Sequence, residues 1–469
     1  MKLSRKIAIG LVAALAFTSA GAGVSHAANT ITGSGSTFIK NLFDACGPTW
    51  NDTNAAEATV SYSGGGSGAG RTAFTGGTTD FAGTDSTYAT TDTPPADYTY
   101  VPIIAGPISI MYRNTGYAGT LKLTATTLAK IFSGEIRDWN DTLITADNGA
   151  PALGTGVTSK TIKIIYRSDS SGTSSGFTSY LKAAAPAVWT KAGSSTFTSS
   201  LPTGHTLTGF AKSGSDGVAN YVAANNGAIG YAELSYQLEA QADGVKSAYV
   251  FNASAQAIKP TSVSAAAAAS AIPAANFNET TGFIAPDYVS TVATAYPITI
   301  FSFGIAHKTY SSKNDSVKDF LNYSLTTCAS AQAPSLGYAT LTSTALTFAK
   351  KRLALVSSVD RPAAPTTTTV PPATTVAPAT TVAPVATVAP VVGTGVKVGK
   401  TISALTVAKG STLTVASTAK PTLKVISGTA VCRVEGAKLK GLKNGTCQVR
   451  VTVKTGTKTA TATVKVTVS

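Results

Sequence analysis

One stretch divides this chain before any element is assigned. RPAAPTTTTVPPATTVAPATTVAPVATVAPVVG, beginning at Arg361, is built almost wholly from Pro, Thr, Ala and Val, and Ala-Pro recurs at Pro378, Pro384 and Pro390. Such a composition cannot bury a core, so no single fold runs through it. The segment 361–395 reads as an extended, semi-rigid spacer. At about 3.1 Å per residue it reaches on the order of 100 Å. Its threonines are candidate acceptors for O-glycosylation. The chain before the spacer and the chain after it must fold separately, and the charge agrees. Of a net +15, residues 396–469 hold twelve charges, from eleven Lys, two Arg and one Glu. Lys2, Arg5 and Lys6 supply the other three. Residues 28–395 are therefore neutral overall, and a neutral body with a basic tail is expected to do two different jobs.

Those first three cations precede the apolar run IAIGLVAALAF, and small residues continue as far as Ala27. Residues 1–27 read as a secretory signal peptide cut after Ala27. No cysteine stands directly after the apolar run, so no lipid anchor is expected. No later stretch approaches the roughly 20 apolar residues of a membrane span. The mature chain is expected to be exported, and extracellular or associated with the cell surface or wall. Four cysteines remain, Cys46, Cys328, Cys432 and Cys447. In an oxidising compartment they read as disulfides. Proximity suggests Cys432–Cys447 and leaves Cys46–Cys328. No run has metal-ligand spacing, and no cofactor is expected.

Residues 28 to about 360 alternate β-type runs (58–63, 100–113, 161–167, 227–234, 296–307) with helix-type runs (36–46, 124–134, 174–185, 215–225, 314–325). This pattern predicts an α/β protein with largely parallel sheets. More than 300 residues exceed one comfortable core, so two lobes are expected. Beyond the spacer the pattern is all-β. CQVRVTVKTGTKTATATVKVTVS alternates on both sides of a Thr455-Gly456-Thr457 turn, with Val449, Val451 and Val453 facing one way and Arg450, Thr452 and Lys454 the other. It reads as a hairpin within a small basic Ig-like sandwich over 396–469.

The chemistry concentrates at RSDSSGTSSGF, residues 167–177. A β-run ends at Arg167 and a helical run comes next, so the hydroxyls and Gly172 sit at a strand-to-helix turn. A helix N-terminus offers unpaired backbone N–H groups and a positive dipole end, which together bind anions. Gly172 lets the backbone approach a ligand. Ser171 and Thr173 add donors, and Arg167 adds a fork suited to a tetrahedral oxyanion. Taken alone, the stretch fits ordinary helix capping beside a solvated arginine equally well. Two further turns repeat the design: TGSGSTFIKNLF, with Thr37 and Phe38 at the start of a helix, and SYSGGGSGAGRTAF, with Ser67 among glycines. Three such turns suggest helix N-termini converging on one ligand at the C-terminal ends of strands.

TTDFAGTDS adds Asp80 and Asp85. A carboxylate beside an anion site repels its ligand unless that ligand carries a proton. Phosphate at neutral pH carries one, whereas sulfate is fully ionised. An acceptor-only carboxylate therefore admits phosphate and leaves sulfate facing an unpaired charge. Asp85 is the candidate for that role, its alternative being a simple turn cap. Asp80 reads as structural.

With these stretches assembled, the chain resembles the phosphate-binding proteins that serve ABC phosphate importers. The runs that carry the resemblance are ITGSGSTF, SGGGSGAGR…DFAGTDS, LAKIFSGEIRDWND, RSDSSGTSSGFTSYL, SGSDGVANYV…GAIGYAE and YPITIFSFGIAHK, in the family's order over residues 30–350. The resemblance implies a two-lobed clam of the type II periplasmic-binding-protein fold, with lobe 1 over 28–110 and 300–360, lobe 2 over 111–299, and crossovers near 108–114 and 296–302. It implies phosphate ligation by Thr37, Phe38, Ser67, Asp85, Arg167, Ser171, Gly172 and Thr173. It also implies a monomeric receptor, not an enzyme, that docks on ABC permease subunits. The sequence departs from the family at Tyr166, where a second arginine is common, and at SGAGR, where the family often has SSGG. Neither departure removes a core donor.

Rival functions fit less well. Gly172-Thr173-Ser174 has the look of a subtilisin-like nucleophile turn, but the body offers only His205 and His307, neither in a His-Gly-Thr context. No Gly-Lys-Ser/Thr comes after a glycine run, which removes a P-loop. Another oxyanion, an organic phosphate or a cell-surface adhesin remain as alternatives. The basic tail calls for an anionic partner, a wall polymer or lipid headgroups, and its exported location argues against nucleic acid.

Overall fold

The computed structural model describes residues 29–54, 57–149, 153, 157 and 159–362, and further on 404–407, 412–414, 421–427, 432–435, 438–441, 445–455 and 458–468. The expectations for the leader and the spacer lie outside the described residues. The chain divides into two compact units at Ala364/Pro365.

The first unit is organised by one long strand. Its elements begin β1 (Asn29–Gly35), α1 (Thr37–Asn54), β2 (Ala58–Gly64), α2 (Ser67–Thr75), β3 (Phe81–Thr84) and β4 (Tyr98–Arg113). They continue with β5 (Lys163–Arg167), α3 (Gly172–Ala184), β6 (Phe210–Lys212), α4 (Gly214–Ala224), β7 (Ala228–Glu233) and β8 (Thr299–His307). These strands form one sheet in the order β2-β1-β3-β8-β4-β7-β5-β6. All of β4 is buried except its end residues, as its apolar sequence YTYVPIIAGPISIMYR requires of a central strand. Its first part, Tyr98–Pro107, pairs with β8, and its second part, Ile108–Arg113, pairs with β7. β4 thus carries the chain from one half of the sheet to the other, and β8 occupies the first half on the return. The two prolines of β4 sit where the ladder can spare an N–H: Pro102 beside the bulge at Ser302/Phe303, and Pro107 at the change of partner.

The sheet is mixed, which corrects the expectation of largely parallel pairing. β1, β2 and β3 are parallel to one another, as are β5, β6 and β7. β8 is antiparallel to both β3 and β4, and β4 is antiparallel to β7. The outward and return strands run in opposite directions, so antiparallel pairs are built into a two-lobed sheet.

Two local features differ from the sequence pattern. The helix expected over 36–46 runs on through Pro48 to Asn54. A proline inside a helix removes one hydrogen bond and crowds the preceding turn. Here the last turn is held by Trp50, buried edge-on against Phe320 at 5.5 Å. The Cys46–Cys328 disulfide also ties α1 to the distant Ser324–Cys328 turn across 282 residues of sequence.

The second unit is all-β among its described residues. Four strands, led by the hairpin Gly445–Thr455/Lys458–Val468, form one sheet, and Thr412–Thr414, Lys438–Gly441 and Cys432–Glu435 form another. Thr455 pairs with Lys458 at the end of this ladder. Val449 and Val466 are buried. Cys432 is buried and disulfide-bonded, whereas the side chain of Cys447 lies outside the described residues.

Candidate functional site

The C-terminal ends of β1, β2, β3, β5 and β6 lead directly into the chemistry. Thr37 is the first residue of α1, Ser67 the first of α2 and Gly172 the first of α3. A fourth helix, α4, starts at the left-handed Gly214 (φ +70°) and joins them through Ser215. Each first turn presents N–H groups that have no partner within the helix. Gly66 precedes α2 at φ +94°, and a Cβ there would lie 2.3 Å from Asp169 Oδ2. Only glycine allows this loop to lie so close to the loop after β5.

All eight residues expected at the site gather here. Arg167, at the end of β5, is only 2% exposed. Its guanidinium is held flat by Asp169, with Nε 2.7 Å from Oδ1 and Nη2 on Oδ2. Its remaining terminal nitrogen donates to Ser215 Oγ at 3.0 Å and reaches Thr173 Oγ1 at 3.5 Å. Burial would pull the Arg167 pKa down, but Asp169 more than offsets this and raises it. Thr37 Oγ1 lies 3.0 Å from Ser215 Oγ and accepts from the Ser215 N–H at 3.2 Å. Ser67 Oγ accepts from the Gly172 N–H at 3.1 Å. A Cβ on Gly172 would fall 2.5 Å from Ser67 Oγ and 2.6 Å from Asp85 Oδ2, so this approach too needs glycine. Ser171 caps α3, its Oγ accepting from the Ser174 N–H at 3.1 Å, which leaves its proton to donate elsewhere. The Phe38 N–H meets Ser36 Oγ at 3.0 Å.

Asp85 comes directly after β3 and is buried. Hydroxyls surround it: Ser36 Oγ at 2.7 Å from both oxygens, Ser302 Oγ at 2.5 Å and Ser67 Oγ at 3.3 Å. Burial pushes its pKa up, partly countered by the Ser302 and Ser36 hydroxyls and by Arg167. Asp80 points elsewhere. It accepts from Thr32 N–H and Oγ1 and from Lys313, a structural set. Those bonds outweigh its desolvation and lower its pKa.

Four participants were not singled out from the sequence. Ser36 and Ser302 orient Asp85, Asp169 orients Arg167, and Ser215 links Arg167 to Thr37. The left-handed glycine before Ser215 and the strand end before Asp169 were the available signals. Tyr166, in place of a second arginine, stacks on Phe197 at 5.2 Å. Among the described residues no group of three or more His, Cys, Asp or Glu could hold a metal ion.

The family model described as PBP superfamily domain matches residues 20–327. The phosphate-binding protein PstS of Haemophilus influenzae is 30% identical over 300 residues, 63% of this chain and 83% of its own. That of Xylella fastidiosa is 31% identical over 281 residues, 59% and 72%. With PstS2 of Mycobacterium bovis the identity is 38%, but the match spans only 35% of that protein. Among solved structures, a high-affinity periplasmic phosphate-binding protein bound with phosphate aligns with TM-score 0.55 at 25% identity, covering 69% of this chain and 92% of its own. An ancestral soluble variant of the human phosphate-binding protein aligns at 0.54 and 26% identity, covering 68% and 92%.

Proposed function

The chain belongs to the phosphate-binding proteins of the PBP superfamily, and from that premise we propose that it is an extracytoplasmic receptor that captures inorganic phosphate between two lobes and delivers it to an ABC importer. It is a binding protein and not an enzyme. The observation that carries the reading is the convergence of four helix N-termini, one buried arginine fork and one buried, hydroxyl-ringed carboxylate.

In this reading the phosphate oxygens take the donors of Thr37, Phe38, Ser67, Ser171, Gly172, Thr173 and Arg167, replacing the bonds that Phe38, Gly172 and Arg167 make to neighbouring hydroxyls. Thr37, Phe38, Ser67 and Asp85 come from the lobe formed by 28–110 and 300–360, and the others from 111–299. The ligand therefore bonds both lobes and favours closure. One proton is required between Asp85 and the nearest ligand oxygen. Phosphate brings it, whereas sulfate would need Asp85 itself to be protonated.

The tail, 396–469, is read as an Ig-like module stapled by Cys432–Cys447 that holds a monomeric receptor to anionic wall polymer or lipid headgroups. The signal peptide exports it, and the spacer supplies reach. Support comes from the concentration of positive charge there and from its independence as a compact unit.

Equilibrium dialysis with labelled phosphate tests the receptor reading. Arg167→Ala is expected to weaken binding by about 3–5 kcal/mol, because it removes a desolvated charge-assisted pair. Unchanged affinity would move the ligand elsewhere.

A further inference from the structure

One buried carboxyl at this site has no assigned work. Glu233 ends β7 and is fully buried, and neither of its carboxyl oxygens has a hydrogen-bond partner. A buried carboxylate without partners is costly, and the usual outcome is that the group keeps its proton. Its surroundings fix where it acts. The Ser215 hydroxyl lies beside it without completing a hydrogen bond, and Arg167 and Asp85 are its charged neighbours. Tyr236 and Tyr338 lie within reach of its charge, and burial holds both phenols neutral. Their hydroxyls are committed to backbone carbonyls, Tyr236 to Thr37 at 3.2 Å and Tyr338 to Phe38. Tyr231 and Asp169 approach Arg167 from its other sides. Desolvation pushes the Glu233 pKa up, only partly offset by its own backbone N–H, Ser215 and Arg167.

We propose that Glu233 is a positioning residue of the anion site, a neutral acid that sets the direction of the Ser215 hydroxyl and links anion binding to one proton. This rests on the receptor reading above. A neutral Glu233 can donate to Ser215 Oγ, which already accepts from Arg167. The Ser215 proton then points to Thr37 Oγ1, which also accepts from the Ser215 N–H. With both acceptor sites filled, Thr37 keeps its own proton for the bound anion. An ionised Glu233 reverses the relay. Ser215 donates to the carboxylate, and Thr37 must turn its proton toward Ser215 and away from the ligand. Ionisation also adds a second negative charge near Asp85, against one arginine already paired with Asp169. Bringing in an anion raises the Glu233 pKa further, so binding takes up a proton in the window between the ligand-free and ligand-bound values. Affinity is full below the ligand-free value and falls as pH rises through it.

The test compares phosphate affinity across pH in the full-length wild type and in Glu233→Gln, an uncharged amide of the same shape. Phosphate's own titration is common to both and cancels. The expected result is a difference in the shape of the two pH profiles, whatever their offset at neutral pH. As pH rises through the ligand-free value of Glu233 the wild type should fall away by up to about tenfold per pH unit relative to the variant, and level off above the ligand-bound value. Infrared difference spectra of the ligand-free proteins should show a protonated carboxyl band in the wild type that is lost in Glu233→Gln. If that variant does not fold, calorimetry of the wild type in two buffers of different ionisation heat replaces it. Proton uptake beyond that of phosphate itself is then required. Parallel pH profiles, no excess proton uptake or an ionised Glu233 at neutral pH would overturn the proposal while leaving phosphate binding intact. A wild type that takes no phosphate overturns the receptor reading as well.

Discussion

At the scale of single residues, the site works by pairing each polar group with a second that fixes its orientation. Asp169 locks Arg167, Ser36 and Ser302 lock Asp85, and Ser215 bridges Arg167 and Thr37. The outer member of each pair was the harder to read. Arg167, Gly172 and Asp85 stand in turns whose composition announces a ligand. Ser302 lies inside a buried strand that is otherwise apolar, and Glu233 ends another, where a sequence gives no hint that the carboxyl turns inward. Asp85 yields the sharpest residue-level expectation. Asp85→Asn keeps the shape but exchanges an acceptor for an amide. Phosphate should weaken, and the phosphate-to-sulfate affinity ratio should fall by at least about tenfold, or 1.4 kcal/mol. In the wild type the same ratio should fall on acidification. The raised Asp85 pKa lets the carboxyl take a proton above the usual carboxylate range and so accommodate sulfate. Competition binding at several pH values measures both, and a ratio indifferent to Asp85 and to pH would remove the carboxylate from discrimination.

At the scale of elements, the helix starts were legible, and so were the helix ends apart from that of α1. The turns before α1, α2 and α3 carry Gly and Ser at the points where the backbone must expose its N–H groups. The continuation of α1 through Pro48 depends on Trp50 and Phe320 meeting across the fold and on a disulfide, all of them long-range partners. The mixed sheet was hidden for a similar reason. Alternating β and α runs specify crossovers, but the direction of β8 is set by how the chain returns between lobes. α1 carries Thr37, a proposed phosphate ligand, at one end and Cys46 within it, so the Cys46–Cys328 bond anchors that helix. By constraining the unfolded chain across so long a loop, it should contribute about 3–5 kcal/mol. Denaturant unfolding of Cys46→Ala/Cys328→Ala at two wavelengths checks this. Phosphate affinity at low denaturant should stay close to wild type, because no ligand group is removed. An unchanged unfolding midpoint would contradict the stabilising role.

At the scale of the whole molecule, the proposed function assigns capture to the body and retention to the tail. The neutral body holds the site, while the net charge belongs to the tail. Attraction between exposed charges is screened over a Debye length of about 8 Å at physiological salt, whereas a closed, buried site is screened much less. Adhesion of the full chain to purified cell envelopes should therefore fall steeply as salt rises, with phosphate binding less affected. A chain ending at residue 395 should appear in the medium with its phosphate affinity unaltered. Persistent attachment of the shortened chain would assign retention to the body.

The central claim is that the converging helix starts, Arg167 and Asp85 select a protonated tetrahedral anion. The most direct measurement is calorimetric titration of the full-length protein at neutral pH with phosphate and, separately, with sulfate. The account predicts one saturable phosphate site per chain and sulfate binding weaker by at least about a hundredfold, or 2.7 kcal/mol. Equal affinity for the two anions, or no heat and no saturation with phosphate, would contradict it.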